Sequence, residues 1–456
     1  MKNAGCSSKP RDLSRRRFLS LAGTAAVGAA GTSLLTGPGA LAATTGAGSA
    51  APATKKPITI SYWNHQHPPL IDFLKVKMEA YRQKNPNVSF EFQFASNKDH
   101  LQKLAVAMGT GTGPDMFNLH SAYTLGYQSK KLLAPVPPEL VGYKSYTEMR
   151  AEFLSGALDG LTFDGQIYGV PMQSNAFSLF INKKHFQEAG LDPVKDAPKT
   201  WDDVAKVGKK LVKMDGNRMV REGFDFGYHL PTWIMYQVQP IIQQHGGDIL
   251  DPAGKAAVNS PQAIKALQMM QDLLYVQRVG DPTLTTNTPA NANDDFVQGK
   301  LSLWLTGPWA IETLKPNPEV YQNYAVVPHP QVNPAKPITA VYGFNLCVNA
   351  AAPPDKQAVA WDFIRFLTAD PIEWMNKLAF PIPRKKWYEA AGAQQFPYLK
   401  VFIDDIAYGR PLVKSTHFDE ILGSMERAVQ RIMLNKGNVK EALDLSAVEI
   451  NKAVGK

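Results

Sequence analysis

The sequence predicts a layered α/β fold. Strand-period alternation and helix-period stripes take turns from Ile58 onward, and helix exceeds strand throughout with no repeat of fixed period. Ile58, Ile60 and Tyr62 alternate with Thr59 and Ser61, the spacing of a strand. Leu70, Phe73, Leu74, Met78 and Tyr81 then recur at helical spacing, until Asn85-Pro86-Asn87 ends the run. Val88, Phe90, Phe92 and Phe94 alternate with Ser89, Glu91 and Gln93, and a second helical stripe follows at Leu101, Leu104, Ala105 and Met108. Strand, helix, strand, helix implies a largely parallel sheet. Thr200-Trp201-Asp202-Asp203 sets a capping hydroxyl three residues before an acid, opening a helix expected to reach about Met214. Ser260-Pro261 opens another, expected to reach about Arg278. Val359, Phe363, Phe366 and Leu367 mark a third, and the chain after Phe418 reads as helical with a break at Lys436-Gly437-Asn438.

Ser14-Arg15-Arg16-Arg17-Phe18-Leu19-Ser20 precedes a weakly apolar run from Leu21 to Leu35 and a small-x-small site, Ala40-Leu41-Ala42. This resembles a twin-arginine export signal, departing from the usual pattern at Ser20, where lysine is common. The expectation is a signal peptide over 1–42, cut before Ala43, then a flexible lead-in over 43–57 rich in Ala, Thr and Gly. The precursor's partner would be the twin-arginine export machinery and the destination the periplasm. With no cysteine at the cleavage site, no lipid anchor is expected. Six of the 49 Lys and Arg precede Ala43 against one acid, so the leader carries +5 of the formal +9. The remaining 414 residues keep +4 without a basic run, and nucleic acid is not implied. Cys347 is the one cysteine beyond the leader, so no internal disulfide supports the fold.

Gly109-Thr110-Gly111-Thr112-Gly113-Pro114-Asp115 looks like a phosphate loop but follows a helix and lacks the Gly-Lys-Ser/Thr ending. It reads better as a helix end leading into a short strand from Met116. From here an ordered set of pieces accumulates: Tyr62-Trp63, Gly113-Pro114-Asp115, Leu132 to Val136, Gly165 to Pro171 and Leu179 to Lys183. Phe296 to Lys300, Leu305 to Trp309 and Trp361 to Thr368 complete it. In this order the chain resembles the extracellular solute-binding proteins of ABC importers, in the branch that includes maltose-binding protein. The resemblance implies a two-lobed periplasmic-binding-protein fold (type II-like): two mixed-sheet α/β lobes joined by a three-segment hinge. It places one lobe at 58–171 and 338–383 and the other at 172–337 and 384–456. It implies a monomer that takes a small carbohydrate into the interlobe cleft, closes on it, and delivers it to ABC permease subunits with their ATPase.

Sugars present hydroxyls and apolar C–H faces, so their sites want aromatic rings with amides, carboxylates or arginines around them. Trp63 lies at the carboxyl end of the first strand, where open α/β sheets bind ligands. Trp233 and Trp309 match positions that stack on sugars in the family, and Asp115 stands where the resemblance implies an acid for hydroxyls. Gln173 and Asn175 follow the first expected hinge crossing; Tyr342, Gly343 and Asn345 follow the second; Arg384 follows the third. Gly343 would let backbone approach the ligand. His65 and His120 are expected as hydroxyl partners. His65-Gln66-His67 lacks a third and fourth ligand nearby, so neither metal nor cofactor is expected. Trp201, Trp361 and Trp374 lie within helical patterns and are expected in the core or on ordinary surface.

Two other classes stay open at this level. A secreted carbohydrate-active enzyme would use the same aromatics, but no Gly-x-Ser-x-Gly, His-Glu-x-x-His or Cys-His nucleophile pattern is present. A receptor for a sugar phosphate or another polar solute fits the mild positive charge and Arg384.

Overall fold

Two five-stranded mixed sheets organise the protein, described from a computed structural model at residues 56–154, 156–227, 231–281, 289–389 and 395–456. The expected signal peptide and residues 43–55 of the expected lead-in lie outside the described residues. The first sheet runs in the order Val88–Ala95, Ile58–His65, Met116–His120, Phe344–Val348, Val170–Pro171. Its first three strands are parallel, and Phe344–Val348 is antiparallel to both neighbours. Alternation decides which side chains go inward. Ile60 and Tyr62 are fully buried, and the Tyr62 ring meets Phe363 of the helix Pro354–Leu367 edge-on at 6.4 Å. Trp63, on the opposite face, packs into a smaller cluster with Leu104 and Met108 of the helix Asn97–Gly109. The helix Pro68–Lys84 buries Leu70, Phe73, Leu74, Met78 and Tyr81, the stripe legible in the sequence. Val88–Ala95 is an edge strand, which is why its clean alternation buries only Val88 fully and leaves Phe94 44% exposed.

The second sheet runs Tyr324–Val327, Ser178–Asn182, Leu301–Thr306, Arg218–Asp225, Lys213–Asp215. Ser178–Asn182 and Leu301–Thr306 are buried at every residue, as strands covered on both faces must be. The helix Trp201–Leu211 opens with the expected capping box: Asp203 N–H donates to Thr200 Oγ1 at 3.1 Å and Thr200 N–H to Asp203 Oδ2 at 3.1 Å. It stops at Leu211, short of the expected Met214. Lys213–Asp215 instead pairs antiparallel with the start of Arg218–Asp225 around Gly216 (φ +59°), so a hairpin takes the residues of the last helical turn. The helix Pro261–Tyr275 likewise ends before Arg278, which sits at φ +55°. At the carboxyl end, Phe418–Val429 and Val439–Ala453 are helices separated by a π-turn and by Lys436-Gly437, the expected break.

The chain passes between the sheets three times. It leaves the first after Val170–Pro171 and enters the second at Ser178; it returns through Thr339–Tyr342 into Phe344–Val348. The third passage runs from the helix Pro371–Leu378 to the helix Leu399–Ala407, which packs on Ser178–Asn182. Between the sheets, Asn175–Ala176 and Thr339–Tyr342 pair antiparallel, Tyr342 opposite Asn175, with Gly409–Arg410 added alongside. One buried hydrophobic network runs unbroken from Ile60 to Ile450 across both sheets. Trp201, Trp361 and Trp374 are at most 2% exposed and belong to that core.

Candidate ligand-binding cleft

Strand ends, crossing strands and one helix bring six aromatic groups together between the sheets. His120 ends the strand Met116–His120, Tyr342 ends a crossing strand, and Phe177 stands between Asn175–Ala176 and Ser178–Asn182. Trp233 and Tyr236 lie one turn apart on the helix Pro231–Gln244, and Trp309 follows Gly307-Pro308 at the end of Leu301–Thr306. Tyr342 is the centre: its ring lies 4.4 Å from Tyr236, 5.6 Å from Trp309, 5.8 Å from His120 and 6.3 Å from Trp233. Trp233 and Trp309 meet edge-to-face at 5.6 Å and both stay half-buried. Such edge-to-face rings hold each other's orientation while leaving faces for a ligand.

His120 joins the two sides. Its Nδ1 accepts from Ala122 N–H at 3.3 Å, which places the neutral ring's proton on Nε2, facing the Tyr236 hydroxyl to which it is hydrogen-bonded. Burial pushes His120 down to about 3, so it is neutral at any ordinary pH. His65 stacks on Phe344 at 4.0 Å, and its backbone N–H donates to Asn118 Oδ1 at 3.0 Å while its Nδ1 pairs with the Asn118 amide. Burial holds its imidazole well below the usual histidine range.

Several buried polar atoms beside these rings lack partners among the described residues. Gln173 Oε1 and Asn345 Nδ2 are enclosed without a hydrogen bond, and the Asn175 amide sits against the Tyr342 phenol. An unpaired buried amide costs roughly 1–3 kcal/mol, so this grouping marks a candidate binding position.

Next to the rings a groove of about 410 Å³ opens between the two sides. One wall is the helix Asn97–Gly109 with Tyr123; the other is Thr232 and the helix Phe418–Val429. Tyr123 meets Phe418 edge-on at 5.2 Å, and Asp419 faces the Tyr123 phenol. Burial raises both groups: the Tyr123 phenol above its ordinary value, and the Asp419 carboxyl likewise.

The structure gathers His120, Trp233, Trp309 and Tyr342 around one centre, with Asn175, Gln173, Asn345 and His65 beside it. Three expected site residues are held by partners of their own. Asp115 precedes the strand that His120 ends, five residues and roughly 16 Å away, and its Oδ2 accepts from Lys356 Nζ and Ser61 N–H, each at 2.8 Å. It is a structural clamp on the sheet. Trp63 shares its strand face with His65 but packs against the cluster of Leu104 and Met108, beside Tyr123. Arg384 lies over the Phe153 ring at 5.4 Å and donates to Thr368 Oγ1 at 3.2 Å. Gly343 is glycine for a different reason from the one expected: a Cβ there would lie 2.1 Å from the Gln173 carbonyl oxygen, so the close approach is to the crossing strand itself. Sequence reasoning missed Tyr236, Phe177, Tyr123 and Phe418. Tyr236 had a signal, standing three residues after Trp233 on one helix face. Tyr123 and Phe418 had none, being brought together from opposite ends of the chain. Among the described residues no group of three His, Cys, Asp or Glu could hold a metal ion, and no helix is long and apolar enough to cross a membrane.

Two mixed α/β lobes, a pair of crossing strands and a ring-lined cleft define a two-lobed binding protein. Comparison with known proteins agrees. The model of the bacterial extracellular solute-binding protein family matches residues 67–373. An ABC-transporter solute-binding protein from Thermotoga lettingae TMO, solved bound with alpha-D-tagatose, superposes with a TM-score of 0.75 at 22% identity, covering 87% of this chain and 100% of that one. Maltose-bound MalE3 of T. maritima gives 0.74 at 22% identity, covering 86% and 99%. Lactose-binding protein of Rhizobium radiobacter is 24% identical over 68% of this chain and 70% of its own length. The chain belongs to the bacterial extracellular solute-binding protein family. It is a transport receptor, not an enzyme, and its family works outside the cytoplasmic membrane.

Proposed function

We propose that this receptor captures a carbohydrate (an oligosaccharide, sugar derivative or polyol) between its lobes and delivers it to the permease and ATPase of an ABC importer. The observation that carries the reading is the pair of unpaired amides of Gln173 and Asn345, with Asn175 alongside, beside the half-buried rings of Trp233 and Trp309. A sugar hydroxyl both donates and accepts, so it can satisfy an amide N–H and an amide carbonyl alike, while C–H faces rest on the indoles. His65, His120 and Tyr342 would border the same ligand. The tagatose, maltose and lactose named for the similar proteins support the class.

The lobes we propose are 58–171 with 338–383, and 172–337 with 384–456, closing as rigid bodies about the crossing strands. Closure removes the sugar from water and creates the form that the permease reads. The leader over 1–42 would send the folded chain through the twin-arginine route into the periplasm, cut before Ala43 and without a lipid anchor, to act as a monomer.

Thermal-shift screening against mono- and oligosaccharides, polyols, glycerophosphodiesters and amino acids tests the reading. A cognate sugar should raise the melting temperature and shrink the radius of gyration. Stabilisation confined to amino acids or glycerophosphodiesters would overturn it.

A further inference from the structure

The three passages between the sheets converge on one buried carboxyl group. Asp405 lies on the helix Leu399–Ala407, which packs against Asn175–Ala176, Thr339–Tyr342 and Ser178–Asn182, and it is 1% exposed. Ser178 Oγ donates to its Oδ2 at 2.5 Å, and His329 N–H lies 3.2 Å from the same oxygen. Thr339 Oγ1 donates to the Asp405 backbone carbonyl at 2.6 Å. Ser178 closes the first passage, His329 and Thr339 stand at either end of the second, and Asp405 itself lies in the third.

We infer that Asp405 is a positioning residue for lobe movement: its carboxyl group pins the second-sheet ends of the crossing strands, and a proton gained there changes how they are held. The ionised carboxylate accepts from Ser178 and His329 together, with charge-assisted bonds stronger than neutral ones. Once protonated, one oxygen becomes a donor: a proton on Oδ2 reverses the Ser178 bond, and a proton on Oδ1 leaves Ser178 and the His329 N–H facing a weaker, neutral acceptor.

The surroundings make such a change accessible. Burial pushes Asp405 up to about 7, opposed by the bonds from Ser178 and the His329 backbone. The strands packed on it present the hydroxyls of Ser178 and Thr339 and no charge. His329 presents its backbone N–H, and burial pushes its ring down to about 4, so that ring stays neutral in the same range. Arg410, on the added strand, pairs through its backbone with Ala340 and is exposed. On its own helix Asp404, engaged by Lys400 at 2.7 Å, raises Asp405 further.

The test uses the full chain without ligand. Hydrogen exchange of the segment holding His329, corrected for intrinsic rates, and the radius of gyration are followed between about pH 5.5 and 8.5, spanning the ordinary histidine range. Wild type should show one transition in both near neutrality. Asp405→Asn, close to isosteric, should abolish it. Asp404→Asn should keep it but move the midpoint down, because a like charge has been removed. A transition that survives Asp405→Asn, or is absent from wild type, overturns the inference. Should Asp405→Asn fail to fold, Ser178→Ala decides: losing one donor to the carboxylate must move the midpoint up, and an unmoved midpoint is equally fatal. No outcome depends on which solute is bound.

Discussion

Gly343→Ala should loosen the crossing strands, and the structure supplies the magnitude. A Cβ at 343 would stand 2.1 Å from the Gln173 carbonyl oxygen and 3.2 Å from its carbon. Ordinary C···O contact begins near about 3.3 Å, so the strands must part by roughly 1 Å. They are not free to do so. Met172 N–H donates to Phe344 O at 2.8 Å and Ser174 N–H to Pro381 O at 2.8 Å. Across the cleft edge, Ser121 N–H donates to Gly343 O at 2.9 Å, and Gly343 N–H to Ser121 Oγ at 3.2 Å. Overpacking against backbone costs about 1–3 kcal/mol, and a strained hydrogen bond about 1 more, giving roughly 2–4 kcal/mol. At about 2 cal/mol/K of unfolding entropy per residue, that is a fall of roughly 2–5 °C for a chain of some 400 residues melting as one unit. Calorimetry measures the fall, and solution scattering reports whether the lobes splay. Gly109→Ala is the control, since a Cβ there has nothing within 4 Å. If Gly343→Ala melted with the control and kept its radius of gyration, the close packing of the crossing strands would be wrong.

Trp309→Ala should weaken binding of a cognate sugar by roughly 1–3 kcal/mol in calorimetric titration, and lower the melting temperature of the unliganded fold as its contacts with Phe177 and Tyr342 are lost. Asp115→Asn should affect stability alone. Weakening its pair with Lys356 should lower stability by about 1–2 kcal/mol in urea titration and leave sugar affinity unchanged. Acid should destabilise the protein through its buried histidines. His120 and His329 are held down to about 3 and about 4, against an ordinary 6.5, so below pH 6.5 the unfolded chain takes up protons that the folded chain refuses. Their stabilising contribution is therefore present above pH 6.5 and lost as pH falls toward 4, roughly 1–3 kcal/mol each by pH 4.5. Urea midpoints across that range should decline, and His329→Gln should flatten the slope.

Local periodicity was enough for elements that bury one face. The stripe from Leu70 to Tyr81 and the capping box at Thr200 are short-range facts, and the structure honours both. The helix end at Leu211 was not legible, because it depends on a hairpin forming around Gly216. Single residues in the cleft were legible only through their neighbours along the chain. Trp233 and Trp309 follow turns, and the structure sets both beside Tyr342, which was expected just after a crossing. Asp115 was chosen through the resemblance, although its place just before the strand from Met116 was already legible, and the start of a parallel strand lies opposite the end where such sheets bind ligands. Lys356, which claims it, is 241 residues away. The Tyr123–Phe418 contact spans still more chain, and nothing in either local pattern announces it.

Cys347 sits on the strand Phe344–Val348, opposite Phe117, fully enclosed, with burial pushing its thiol well above the ordinary value. A thiol that neither ionises nor meets solvent does not react with maleimides or iodoacetamides. On a chain produced without residues 1–42, a cysteine introduced at the rim of the groove, for example in place of Gln102 or Thr416, would therefore be the labelled position. An environment-sensitive dye there would turn lobe movement into a fluorescence signal, making the molecule an optical sensor for whatever solute it carries.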